Sequence, residues 1–216
     1  MNAPLLVERP QLLTDLAYER LREGIVAGEL KLGQQVSEAQ LAARMGISKT
    51  PIREALVRLK MEGLVEIQPQ RGTFVFRLTP EQVGQLCRYR AMIEVAALRE
   101  AYATHRKELL QGLKRLVAEM EVAERSGDLA PLSRLDMNFH FELLACCPNP
   151  YLRAAYELIR FQLTALRQRS PISNMVDSHE VLVRALERGD LEGACRMLET
   201  HVLENEARYI AACGVD

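Results

Sequence analysis

Apolar residues recur at helical intervals through most of the chain, and the interval shortens to a strand-like alternation in one stretch only. Leu13, Leu16, Ala17, Leu21 and Ile25 mark a first helix between Pro10 and Gly28, the glycine being its stop. Between Ser37 and Leu59 the pattern predicts two short helices and a tight turn. Ser37 caps the first, Gln40 is placed to complete a capping box, and Leu41 with Met45 gives it a buried side. Gly46 ends it in the left-handed conformation that glycine accepts, Ile47 turns toward the core and Ser48 caps the next helix. Ile52, Ala55, Leu56 and Leu59 form the inner stripe of that helix, so Thr50, Arg53 and Val57 face outward, with Lys49 beside Arg53. After Gly63 the run Leu64, Val65 and Ile67, the turn Pro69-Gln70-Arg71-Gly72, and Thr73 through Phe76 read as strand, turn and strand.

Beyond Thr79-Pro80 the periodicity is helical throughout. Helices are expected over 80–104, 106–126, 129–146, 151–169, 175–188 and 190–211, broken at Gly127-Asp128, Pro148-Asn149-Pro150, Pro171 and Gly189-Asp190. Six helices with short connections predict an antiparallel bundle. The fold class is thus mainly α: a helix-turn-helix with a β-hairpin wing over 1–78, then a six-helix domain over 79–216.

Composition adds little, but local charge matters. A chain of 216 residues with 48% hydrophobic positions fills one large core or two small ones, and its net charge of −1 suggests no polyanion partner. Divided near Leu78, however, the first part carries 11 basic and 9 acidic residues and the rest 17 and 20. Between Arg44 and Arg77 seven basic residues face three acidic ones, the footprint of a phosphate-contacting module. Glu8 and Arg9 interrupt the one apolar N-terminal run, and no apolar stretch is long enough to span a bilayer, so a cytoplasmic protein without membrane attachment is expected. Cys87, Cys146, Cys147, Cys195 and Cys213 follow neither a CxxC pattern nor a secreted-framework spacing, and reduced thiols are the expectation.

The turn between the two short helices has two readings, a helical hairpin with a solvated basic face or a helix-turn-helix whose second helix enters the major groove. The wing that follows favours the second, because Arg71 stands at its tip beside Gly72, where the backbone can approach a phosphate or the minor groove. The run Gly46-Ile47-Ser48-Lys49-Thr50-Pro51-Ile52-Arg53-Glu54-Ala55-Leu56, then Leu59, Gly63-Leu64 and Arg71-Gly72-Thr73-Phe74-Val75, resembles the winged-helix domain of GntR-family bacterial transcription regulators. The resemblance implies DNA contacts from Lys49, Thr50, Arg53, Arg71, Gly72 and Arg44. The family usually carries arginine where Lys49 stands and often a basic residue near Ala39. Lysine offers a point charge instead of a bidentate fork.

The helical half places polar residues on apolar stripes. Leu132, Leu135, Phe139 and Leu143 define one stripe, with Asp136 and His140 beside it one turn apart. His179 interrupts the stripe of Met175, Val176, Leu182, Val183 and Leu186, and His201 that of Leu191, Ala194, Leu198 and Val202. A single inward histidine is commonly a core residue satisfied by one hydrogen bond, but three beside an inward carboxylate suit a divalent cation. Asp136-Met137-Asn138-Phe139-His140, Asn149-Pro150-Tyr151-Leu152, His179, Ala185-Leu186, Gly189-Asp190 and His201 resemble the FCD effector domain of the FadR subfamily, in its six-helix VanR-like branch. That resemblance implies Asp136, His140, His179 and His201 as ligands of a metal ion, with zinc or nickel the leading candidates. It also implies Arg90 and Glu94 as effector-cavity residues, although Arg88 and Arg90 with Glu94 also read as surface ion pairs.

The function expected is a homodimeric transcription regulator, a repressor by the family pattern, bound to a palindromic double-stranded operator and responsive to a small carboxylate at its metal. Two alternatives use the same residues: a metal-dependent hydrolase, and a sensor for which the metal is itself the signal.

Overall fold

The computed structural model describes residues 13–127, 131–170 and 175–214. It divides into two compact units, Met1–Phe76 and Arg77–Asp216. Pro10, Asp128 and Pro171, expected to bound helices, lie outside the described residues.

In the first unit α1 (Leu13–Ala27), α2 (Glu38–Met45) and α3 (Lys49–Met61) pack around Leu21, Ile25, Leu41, Ile52, Leu56 and Leu59, all buried. The periodic positions are inside because burial of that stripe offsets the entropy of ordering three short helices. Gly46 closes α2 at φ 67°, the left-handed cap its position suggests. Ser37 and Ser48 stand at the N-caps in extended backbone, but neither side chain makes a capping hydrogen bond, so the Ser37–Gln40 box is not formed. Thr79 and Gln82 form one instead, at the start of the second unit, with Pro80 in the first turn.

The wing has one more strand than the sequence suggests. β1 (Gln35–Val36), β2 (Val65–Gln68) and β3 (Gly72–Val75) form an antiparallel sheet in the order β1-β3-β2. A strand of two residues has no alternation to read, and its partners Thr73 and Phe74 are distant in sequence.

The second unit comprises α4 (Pro80–Thr104), α5 (Arg106–Ser126), α6 (Leu132–Ala145), α7 (Pro150–Gln168), α8 (Met175–Glu187), α9 (Leu191–Leu203) and α10 (Glu206–Ala212). The last two replace the single helix expected over 190–211. Buried Asn205 separates them: its Nδ2 donates to the His201 carbonyl at 2.8 Å, competing with the backbone donor that would continue the helix. α4 packs on α6, α7 and α9, and α5 packs on α6 and α8. The inner faces of α4, α6, α7, α8 and α9 thus look into one interior. All five cysteines are free thiols; Cys146 is partly exposed, the others are buried, and burial pushes the Cys87 and Cys146 thiols up to about 11.

Candidate functional site

Lys49, Thr50 and Arg53 occupy the first turns of α3, and all three are exposed because Pro51, Ile52, Ala55 and Leu56 take the inner face. Arg53 is already oriented. Its Nε donates to both oxygens of Glu38 at 3.1 and 3.2 Å, and its Nη2 to Oε2 at 2.8 Å. These hydrogen bonds hold the Glu38 carboxyl below its ordinary value. Arg44 is exposed on α2, and Arg71 is exposed at the wing tip. Gly72 has a reason within the wing itself. Its φ is +112°, and a side chain there would displace the Gln35 amide, whose Nε2 donates to the Arg71 carbonyl at 2.8 Å. The sequence reading missed both Glu38 and Gln35, each of which holds a residue it had singled out.

In the second unit Asp136 and His140 of α6, His179 of α8 and His201 of α9 present one ligand atom each, all within 4.8 Å of one another. Asp136, His140 and His179 are buried; His201 is partly exposed. The His140 and His201 rings stack with centroids 5.2 Å apart, and Phe139 packs edge-on against His179 at 4.3 Å. Asp136 Oδ1, His140 Nε2 and His201 Nε2 are buried without a hydrogen-bond partner. Ligand atoms on opposite sides of an ion at about 2.1 Å are roughly 4.2 Å apart, so small side-chain shifts would close this set on one ion. Neutral imidazole nitrogens and a carboxylate oxygen, each with an unused lone pair, fit a divalent metal.

The surrounding residues hold these atoms in that state. His140 Nδ1 lies 2.7 Å from Glu94 Oε2 and donates to it, which leaves the Nε2 lone pair facing Asp136. Glu94 Oε1 accepts from Arg90 Nε at 2.6 Å, and Arg90 Nη1 donates to Tyr209 at 3.1 Å. Arg90 and Glu94 are therefore fully buried, and the surface-pair reading of them is wrong. Spacing alone did not separate the two readings, since an arginine and a glutamate four residues apart fit an exposed pair as well as a buried one; Arg88, Met92 and Arg99 take the exposed face of α4 instead. Both Glu94 oxygens are engaged, which makes it a buttress of His140. Arg167 Nε sits 2.8 Å from Asp136 Oδ2, an ion pair too far off line to count as a hydrogen bond. Arg167 was also missed, although a signal existed: it continues the Tyr156, Ile159 and Leu163 stripe of α7 as an arginine among apolar residues.

Burial pushes the Asp136 carboxyl upward, but the opposing charges, Arg167 foremost, hold it well below the usual carboxylate range. Burial drives His140 well below the ordinary histidine value and His201 down to about 2. The His140 and His201 imidazoles are thus neutral at physiological pH, the form that binds metal.

A winged helix with an exposed basic reading helix, followed by an all-helical unit, defines a winged-helix transcription regulator. Residues 13–75 match the gntR family of bacterial regulatory proteins, and residues 85–204 match the FCD domain. A relative from Paenarthrobacter nicotinovorans named "Probable D-xylose utilization operon transcriptional repressor" is 32% identical, over 87% of this chain and 83% of its own. The HTH-type transcriptional repressor RspR of Escherichia coli strain K12 is 28% identical, over 87% and 84%. A GntR regulator structure from Rhodococcus sp. RHA1 superposes with a TM-score of 0.77 at 20% identity, covering 92% of this chain and 97% of the other, a likeness of fold. The chain belongs to the GntR family and carries an FCD domain. It is a DNA-binding transcription regulator, and the hydrolase alternative falls with that assignment. Among the described residues no helix is long and apolar enough to cross a membrane.

Proposed function

We propose that this protein is a homodimeric repressor whose grip on a palindromic operator is governed by a small organic acid bound at a divalent metal in the helical unit. The convergence of four ligand atoms from α6, α8 and α9 carries the reading, because burying Asp136 Oδ1, His140 Nε2 and His201 Nε2 without an ion leaves their lone pairs unsatisfied. Asp136, His140, His179 and His201 would hold the ion; zinc and nickel both suit three imidazoles and one carboxylate. When bound, the ion supplies open positions for an acid's oxygens. Glu94 fixes the His140 tautomer, Arg167 holds the far oxygen of Asp136, and Arg90 brings a guanidinium to the same interior.

In the winged unit Lys49, Thr50, Arg53 and Arg44 face the major groove and Arg71 the backbone beside it, with Arg53 pre-aimed by Glu38. The names of the relatives support repression. A second copy is supported by an apolar face: Met92 on α4 and Tyr151 and Leu158 on α7 are 66%, 83% and 61% exposed. Tyr89, one turn from Met92, donates to the Ala155 carbonyl of α7, which brings the two helices side by side there.

An acid regulates only if it binds one conformation more tightly than the other. The test pairs two variants. His140→Ala is expected to lose bound metal by elemental analysis and keep operator affinity, while Arg53→Ala keeps metal and loses operator. Operator binding that tracks free metal with no acid present would favour the direct metal sensor instead.

A further inference from the structure

Besides Arg167 Nε, which faces Asp136 Oδ2 off line, the described residues include three buried donors around the centre with no acceptor: Arg90 Nη2, Arg167 Nη1 and Tyr156 Oη. Their side chains are 0%, 2% and 0% exposed. Arg90 comes from α4, and Tyr156 and Arg167 from one face of α7. Both guanidiniums lie close enough to Asp136 and Tyr209 for their charges to act on each, which brings them to the metal ligands. Native interiors seldom leave even one such donor unpaired.

Water is a poor partner for all three. A bridging water brings hydrogens of its own that need acceptors, and the nearby carboxylate oxygens already face other donors or the ligand set. Glu94 is used on both oxygens, Asp136 Oδ2 faces Arg167, and Oδ1 belongs to the ligand set. The charge balance gives a second constraint. Arg90 and Arg167 are offset by Glu94 and Asp136, with the imidazoles neutral, so a divalent ion leaves two positive charges in excess. A dry interior tolerates such an excess badly.

We infer that the effector is a small dicarboxylate, one carboxylate on the metal and the other received by Arg90 Nη2, Arg167 Nη1 and Tyr156 Oη, and that sugars and sugar acids are refused. This rests on the metal-centre reading above. Two carboxylates supply the two negative charges and only acceptor atoms. A guanidinium edge matches a carboxylate in geometry, and two guanidiniums with a phenol hydroxyl can saturate one end of the acid. Each hydroxyl of a sugar or polyhydroxy acid, by contrast, brings a donor that needs a buried acceptor. Arg90 Nη2, Arg167 Nη1 and Tyr156 Oη offer donors to a ligand, and of these three groups only the Tyr156 hydroxyl can also accept. A site built this way discriminates strongly, because the wrong ligand leaves its own polar groups unpaired.

The experiment uses the full chain loaded with zinc or nickel, its metal content measured, and calorimetric titration with malonate, succinate, propionate, gluconate and D-xylose. Malonate or succinate is expected to bind at least about ten-fold more tightly than propionate or gluconate, and D-xylose not at all. Tyr156→Phe, which keeps the ring in its packed place, is expected to retain full metal content and weaken the diacid about ten-fold while leaving propionate unchanged. Metal-replete protein that prefers gluconate, binds propionate as well as the diacids, or binds none of them overturns the inference. So does a Tyr156→Phe variant that affects mono- and dicarboxylates alike. Protein that takes up no ion overturns the metal-centre reading and this inference with it, and metal content separates that failure from the others.

Discussion

Arg53 and Arg90 each hold a glutamate, yet the two pairs behave as opposites. Arg53–Glu38 lies on the surface of the winged unit, 64% and 33% exposed, and water screens it. Arg90–Glu94 lies inside the helical unit with both side chains at 0% exposure, and Arg167–Asp136 beside it at 2% and 3%. An exposed arginine can exchange its carboxylate for a phosphate or a base edge as soon as a polyanion arrives. A buried one answers only to what enters the interior. Salt-sensitive contact with DNA and the salt-insensitive small-molecule recognition proposed for the helical unit thus call for the same residue types in different dielectric surroundings.

The sharpest way to break this contrast is to remove one partner from each kind of pair. Glu94→Ala strands the Arg90 charge and the His140 Nδ1 donor, so a loss of about 3–5 kcal/mol is expected in urea unfolding of the metal-free protein. Glu38→Ala is expected to leave the unfolding midpoint nearly unchanged. If the two substitutions destabilise equally, the contrast in burial is wrong.

Acid separates the units next. His140 and His201 are held below their ordinary value by burial, so the folded state resists protons that the unfolded chain accepts. Their stabilising contribution is full above about pH 6.5 and declines as pH falls below it, at roughly 1.4 kcal/mol per pH unit for each histidine. Thermal melts of metal-free protein from pH 7.5 to 5 should therefore show a falling midpoint. Glu38, lowered by its bond to Arg53, adds an effect of the same sign only below about pH 4.

Two smaller effects belong to the winged unit. Arg53→Ala should weaken operator binding by roughly ten- to a hundred-fold in a fluorescence anisotropy titration, with no loss of metal. Glu38→Gln should have the smallest effect, a few-fold loss of preference for operator over unrelated DNA, because it frees the guanidinium from its aim without removing it. An unchanged preference would mean that Glu38 does not position Arg53 for reading.

Much of this was legible one helix at a time. Leu41, Ile52, Leu56 and Leu59 set the faces of the helix-turn-helix, and Asp136, His140, His179 and His201 stood out because polar residues on apolar stripes need a partner. What failed in the reading were features whose partner lies far along the chain or whose signal is short. Gln35–Val36 is too brief to show alternation, and the break at Asn205 depends on a side chain turning back onto the His201 carbonyl. Arg90 and Glu94 looked equally suited to a surface, since their spacing fits an exposed ion pair as well as a buried one.

The sequence by itself determined the periods, the turns and the residue types that each face presents, because those follow from backbone sterics and from burial along a single element. Only the tertiary structure decided that Glu94 meets His140, that Arg167 meets Asp136, and that Arg90, Arg167 and Tyr156 surround the same interior. Periodicity gives the direction in which a side chain leaves its own helix, while its partner is fixed by how the neighbouring helices pack against that face.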